Sequence, residues 1–188
     1  MAKSVVFFKR AVEETPDISK GYKIGLLALG QYSNKVKVGD TTKIQGSVDI
    51  DFCTTAKYPQ LNRWDYVFSY KSEVFFVEVC SANTSEVKSV LKKLQWLKDW
   101  LHSEAPKINK LKAKQSFFWV QSKNFQIPKN SPQYFAAIKA GLKPIPVLFS
   151  PRTLKSALKA RFCLFCAEMF FFNNFLWISP VNVLSSPS

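Results

Sequence analysis

At 188 residues, with 47% apolar and 21% charged side chains, the chain is long enough for one domain with a sizeable core and too apolar to be disordered. Lysine and arginine number 27 against 13 acidic residues, a formal +14 with a pI near 9.7, and such a field draws polyanions, either nucleic acid or an anionic membrane face. Four cysteines (Cys53, Cys80, Cys163, Cys166) are too few and too irregular for a disulfide scaffold, and the first residues lack the apolar run of a secretory signal, so a reducing, cytoplasmic setting is expected.

Residues 1–16 hold a short apolar run, Val5 to Phe8, then a charged passage, which reads either as an edge strand or as the start of a helix. From Asp17, an N-cap residue type, the spacing predicts a helix ending at Gly30, weakened by about 1 kcal/mol at each of Gly21 and Gly25 relative to alanine. After a polar, basic stretch, Val48, Ile50 and Phe52 alternate with Ser47, Asp49, Asp51 and Cys53, a period-two strand with one acidic face.

The segment Arg63 to Ser81 is a β-hairpin in outline. Tyr66, Val67, Phe68 and Tyr70 make one strand, and Val74 to Val77 with Val79 make the other, on either side of a polar break at Lys71-Ser72. A turn centred there sets Ser69 opposite Val74, Val67 opposite Phe76, and Asp65 opposite Glu78. Like charges across a ladder repel, so a cationic group is expected between the two carboxylates.

Asn83 or Thr84 caps a predicted long helix running to about His102, with Val87, Val90, Leu91, Leu94, Leu97 and Leu101 as its apolar stripe. Lys88, Lys92 and Asp99 fall off that stripe, and Gln95 falls on its rim. A basic loop follows, then a buried strand over 116–122. Ser131-Pro132 starts a helix that Gly141 ends, residues 144–150 make a short strand, and Ser150-Pro151 opens a last helix. The order is that of an α/β domain around a mixed sheet, over 1–160. An apolar extension, 161–188, falls short of the roughly 20 clean residues of a bilayer span and suits packing on the domain or on a second copy, as in a homodimer.

Glu78 and Cys80 share a strand face, and that face is also Asp65's. An Asp on the second strand and Glu-x-x' on the third, within a helix-strand-strand-strand-helix-strand order, resembles the PD-(D/E)XK nuclease-like superfamily, from Asp17 to about Ser122. The resemblance implies a restriction-endonuclease-like core (αβββαβ) and nucleic acid as partner, DNA ahead of RNA. It also implies Asp65 and Glu78 as ligands of Mg²⁺ or Mn²⁺, with the ion activating water against a phosphodiester. Where the family carries lysine, this chain has Cys80. Lys88 is the first candidate to replace that lysine and Lys92 the second, or else the fold binds without cleaving. Gln95 falls near where helicase-associated members of the superfamily carry a helix Gln that touches the metal.

The same residues have plainer readings. Asp65 can pair with Arg63, Glu78 can pair with a lysine, and a slip of one residue would send Glu78 to the other face. Asp49 and Asp51 form a second acidic face, with Asp51 as a third metal ligand or a substitute for Asp65, or else a charged edge. Lys92, Lys93, Trp96, Lys110, Lys112 and Lys114 are candidates for binding nucleic acid, through cations interleaved with an aromatic, against a reading of Trp96 and Trp100 as packing residues. Cys163-x-x-Cys166 is half a zinc ligand set with no second pair, which leaves core or interface cysteines.

Overall fold

The computed structural model describes residues 3–145. The strand residues 146–150, the helix opening at Ser150-Pro151, the domain boundary at 160, the apolar extension and the Cys163–Cys166 pair therefore lie outside the described residues.

Helix α1 spans Lys3–Glu13 and buries Phe8, Ala11 and Val12 at helical spacing, so the helix alternative for the N-terminal run is the one adopted. The helix expected over 17–30 does not form. Its place is taken by a 3₁₀ turn at Pro16–Ile18, the two-residue strand β1 (Lys23–Ile24) and a kinked 3₁₀ segment, Leu27–Lys35. The physical cause is local: Gly25 and Gly30 take positive φ (61° and 51°), which no continuous α-helix contains. Asp17 caps nothing there. Its carboxylate instead accepts hydrogen bonds from Lys57 Nζ (3.0 Å), Tyr58 Oη (3.2 Å) and Trp100 Nε1 (2.9 Å).

Strand β2 (Ile44–Asp49) is shorter than its alternation suggests. Asp49 stops it by turning its carboxylate onto the Phe52 N–H (2.8 Å), which caps the short helix α2, Ile50–Thr54. Strands β3 (Tyr66–Tyr70) and β4 (Glu73–Ala82) form the expected hairpin in the expected register, with Val67 opposite Phe76 and Ser69 opposite Val74. Helix α3 (Val87–Ser103) follows. The basic stretch after it contains the helix α4 (Pro106–Lys110), opened by Pro106, where a loop is expected. Strand β5 (Lys112–Phe125), helix α5 (Pro132–Lys139) and strand β6 (Lys143–Ile145) complete the set. The Ser131 hydroxyl caps α5 through the Tyr134 N–H, and Gly141 leaves it at φ 84°.

The protein is α/β, with a six-stranded mixed sheet in the order β1-β2-β3-β4-β5-β6. Pairing is antiparallel as far as β4 and parallel from β4 through β6, because α3–α4 and α5 supply the crossovers that parallel neighbours require. One face of the sheet, carrying Val48, Val67, Val74, Phe76, Phe117 and Trp119, shares a core with α1, α3, α4 and α5. On the other face the 27–35 segment lies over β2, where Ala28 N–H donates to Ser47 Oγ (3.1 Å) and the Tyr32 ring meets Tyr66. No helix among the described residues is long and apolar enough to cross a membrane.

Candidate active site

The hairpin ladder stops one pair short of the two carboxylates, at Tyr66 opposite Val77. Asp65 finishes it with a side chain: Oδ2 accepts the Val79 N–H at 2.9 Å. Its own carbonyl accepts the N–H groups of Ile50 (2.8 Å) and Asp51 (3.3 Å), at the corner where β2 gives way to α2. Asp65 is therefore held from both sides. Glu78 lies in the middle of β4, beside Trp119 of β5 and on the face that α3 covers, and its side chain is 0% exposed.

The cation expected between them is Lys93. From α3 its Nζ donates to Glu78 Oε1 at 2.6 Å and to Asp65 Oδ1 at 3.1 Å. Lys93 was expected among the nucleic-acid contacts, with Lys88 first and Lys92 second for this position. The helix phase decides otherwise: Lys93 is three residues after Val90 and four before Leu97, both fully buried, so it points toward the sheet. Glu78 thus adopts the plainer pairing with a lysine, while Arg63 pairs with Asp51 (2.8 Å) and not with Asp65.

Three charges in a buried corner perturb one another. Burial first, and then Asp65, push the Glu78 carboxyl up, to about 8, against the pull of Lys93. Burial opposes the charge on Lys93, but Glu78 and Asp65 outweigh it and hold the ammonium above the usual lysine range. Glu78 Oε2 is buried and has no hydrogen-bond partner among the described residues. A buried carboxyl oxygen without a partner costs stability unless a proton, a water or a ligand meets it.

Cys80 lies on the same face. Burial, then the charge of Glu78, push its thiol up to about 12, so it stays neutral and supplies neither a cation nor a thiolate. Its register partner on β5 is Gln121, a residue sequence reasoning missed. Gln121 is buried, and its side-chain oxygen also lacks a partner among the described residues. The signal available beforehand was a glutamine directly after the apolar run Phe117 to Val120.

The other expected site residues are elsewhere. Lys88 and Lys92 line a groove of about 660 Å³ between α3 and α5, with Thr84, Leu91, Gln133 and Ala136. Gln95 is exposed and donates to Asp99 along its own helix (2.9 Å), away from the carboxylates. Trp96 packs within the protein, stacked on Trp100 (6.0 Å between centroids) and edge-on to Tyr58 (5.7 Å), as in the packing alternative. Asp51 is in the first turn of α2, occupied by Arg63. Lys110, Lys112 and Lys114 are exposed near the hairpin turn, where Lys112 is the partner of Val74. Val74 is four residues from Glu78 along β4, roughly 13 Å.

Among the described residues no group of three or more His, Cys, Asp or Glu is placed to hold a metal ion. What the corner offers is two carboxylates, one of them with a free oxygen, and a lysine. No family model, curated protein or solved structure matches this chain.

Proposed function

We propose that the protein is a metal-dependent nuclease of the PD-(D/E)XK type, hydrolysing phosphodiester bonds of nucleic acid, DNA ahead of RNA. The observation that carries the reading is the meeting of Asp65, Glu78 and Lys93 in one corner. A carboxylate at the start of one strand and a carboxylate on the next stand together with a lysine, which is the family's chemical set with its cation supplied from a helix instead of from position 80. With α1 taking the place of the helix expected from Asp17, and with β1, α2 and α4 as additions, the order α1, β2, β3, β4, α3, β5 is compatible with the αβββαβ plan.

The donor set suits a hard cation such as Mg²⁺ or Mn²⁺, which takes oxygen ligands and completes its shell with water. Glu78 through its free Oε2 and Asp65 through Oδ1 are the residues that would hold it. When bound, the ion would make water a better nucleophile and offset charge on the phosphodiester. The protein's own part is to fix Asp65 with the Val79 N–H, to keep bulk water from Glu78, and to supply the Lys93 ammonium at the same corner as a cation for a phosphodiester's negative charge.

A second reading, a noncatalytic nucleic-acid-binding or assembly module, draws on one specific feature. Lys93 already offsets the acidic pair without any metal, and Cys80 is neutral. Incubating purified protein with DNA and RNA, with Mg²⁺ or Mn²⁺ and then with chelator, separates the two. The nuclease reading expects cleavage only with metal, and a loss in Glu78→Ala beyond about 100-fold, the upper end for residues that merely support a ligand. Binding without cleavage under every condition favours the module.

A further inference from the structure

We propose that Lys93 is a built-in competitor of the divalent ion: its ammonium stands at the point between Asp65 and Glu78 that the ion would take, so that metal binding and the departure of Lys93 from the pair are one event. The inference rests on the metal-site reading above and adds to it a coupled movement of a residue of this chain.

The four carboxylate oxygens carry the argument. Asp65 Oδ2 is held by the Val79 N–H. Asp65 Oδ1 and Glu78 Oε1 both belong to Lys93 Nζ, at 3.1 and 2.6 Å. Only Glu78 Oε2 is unengaged among the described residues. The two oxygens that Lys93 now bridges, Asp65 Oδ1 and Glu78 Oε1, are the pair that an ion drawing on both residues from the same side would meet. A divalent cation and an ammonium sharing those oxygens in a corner where Glu78 is 0% exposed repel with little screening. The stem of Lys93 permits the move. Its backbone is fixed by Val90, Leu94 and Leu97 in the core, while its side chain is 24% exposed, so the tip has a path to solvent along a flexible tether. Lys93 is in this respect a positioning residue as well as a charge.

Mn²⁺ binding to the full chain, followed by water-proton relaxation, tests this without reference to cleavage. Lys93→Met keeps the length of the stem and removes the charge. It is expected to bind Mn²⁺ on the order of tenfold more tightly than wild type, within the usual range of coupling between sites, while losing cleavage. Equal or weaker Mn²⁺ binding by a folded Lys93→Met protein overturns the proposal. Removing the lysine leaves buried carboxylates uncompensated and can impair folding, so the wild type supplies a second measurement. The ¹⁵N signal of the Lys93 side chain is expected to shift on Mg²⁺ saturation, and a signal that stays in place under saturating Mg²⁺ also overturns the proposal. If neither protein binds Mn²⁺ at all, the metal-site reading itself fails, an outcome distinct from binding that is indifferent to Lys93.

Discussion

Glu78 is the residue on which the proposed chemistry turns, and its titration has a definite sign. In the unfolded chain it loses its proton near 4.5, whereas in the fold burial and Asp65 hold the proton to about 8. Across that window the native state binds more protons than the unfolded state, so this group's contribution makes stability fall as pH rises, levelling off above the window. Lys93 and the neutral Cys80 thiol keep their protons throughout it. Urea unfolding of the wild type at intervals across the window, compared with Glu78→Gln, is expected to show that slope in the wild type and a flatter profile in the variant. No slope in the difference would place Glu78 in a solvated setting, and a slope of the opposite sign would mean that the pull of Lys93 outweighs burial. The hairpin register that brings Asp65 near Glu78 was legible in the sequence, because an antiparallel ladder leaves little freedom once its turn is located, although the ladder itself ends at Tyr66 and Val77. Lys93 was harder to see. Its phase on the helix, between Val90 and Leu97, held the information, but in sequence it adjoins Lys92, which faces a different groove.

At the scale of elements, the hairpin was readable and the region before it was not. The difference lies in backbone conformation. Lys71 and Ser72 form the tight turn with φ of 52° and 69°, the left-handed pair that two-residue hairpin turns require. Neither residue is glycine, so each carries strain, and Ser72→Gly is expected to stabilise the protein by about 1 kcal/mol in chemical denaturation. A lower stability would mean that the serine side chain makes a compensating contact. The 17–30 segment has helix-like apolar spacing, yet Gly25 and Gly30 take conformations outside the helix, which no pattern of hydrophobicity reveals. Glycine has a different purpose at Gly46. A Cβ there would meet the Tyr22 ring, whose hydroxyl donates to the Gln45 carbonyl (2.8 Å). Gly46→Ala is expected to cost about 1–3 kcal/mol through that overlap, and an unchanged melting temperature would show that the ring yields freely. Asp49 misled for a related reason, because a capping side chain ends a strand whose alternation continues on paper.

For the whole molecule, the formal +14 is a field that attracts polyanions, and it does not by itself locate a surface for one. Lys110, Lys112 and Lys114 are exposed at the hairpin-turn end of the sheet, apart from the acidic corner. Replacing all three with glutamine is expected to weaken nucleic-acid binding and flatten its dependence on salt, while leaving Mn²⁺ binding unchanged. An unaltered salt slope in fluorescence anisotropy would assign the contacts to other lysines. The α/β class and the mixed sheet followed from the order of elements. Which lysines face which surface depended on folded geometry that composition does not carry. The central claim, that Asp65 and Glu78 form a metal site from which Lys93 must depart, is tested most directly by anomalous diffraction from crystals soaked in Mn²⁺. The account predicts a manganese peak within bonding reach of Asp65 and Glu78, with the Lys93 ammonium withdrawn from both. Crystals that take up no manganese at this corner, with Lys93 still bonded to both carboxylates, would contradict it.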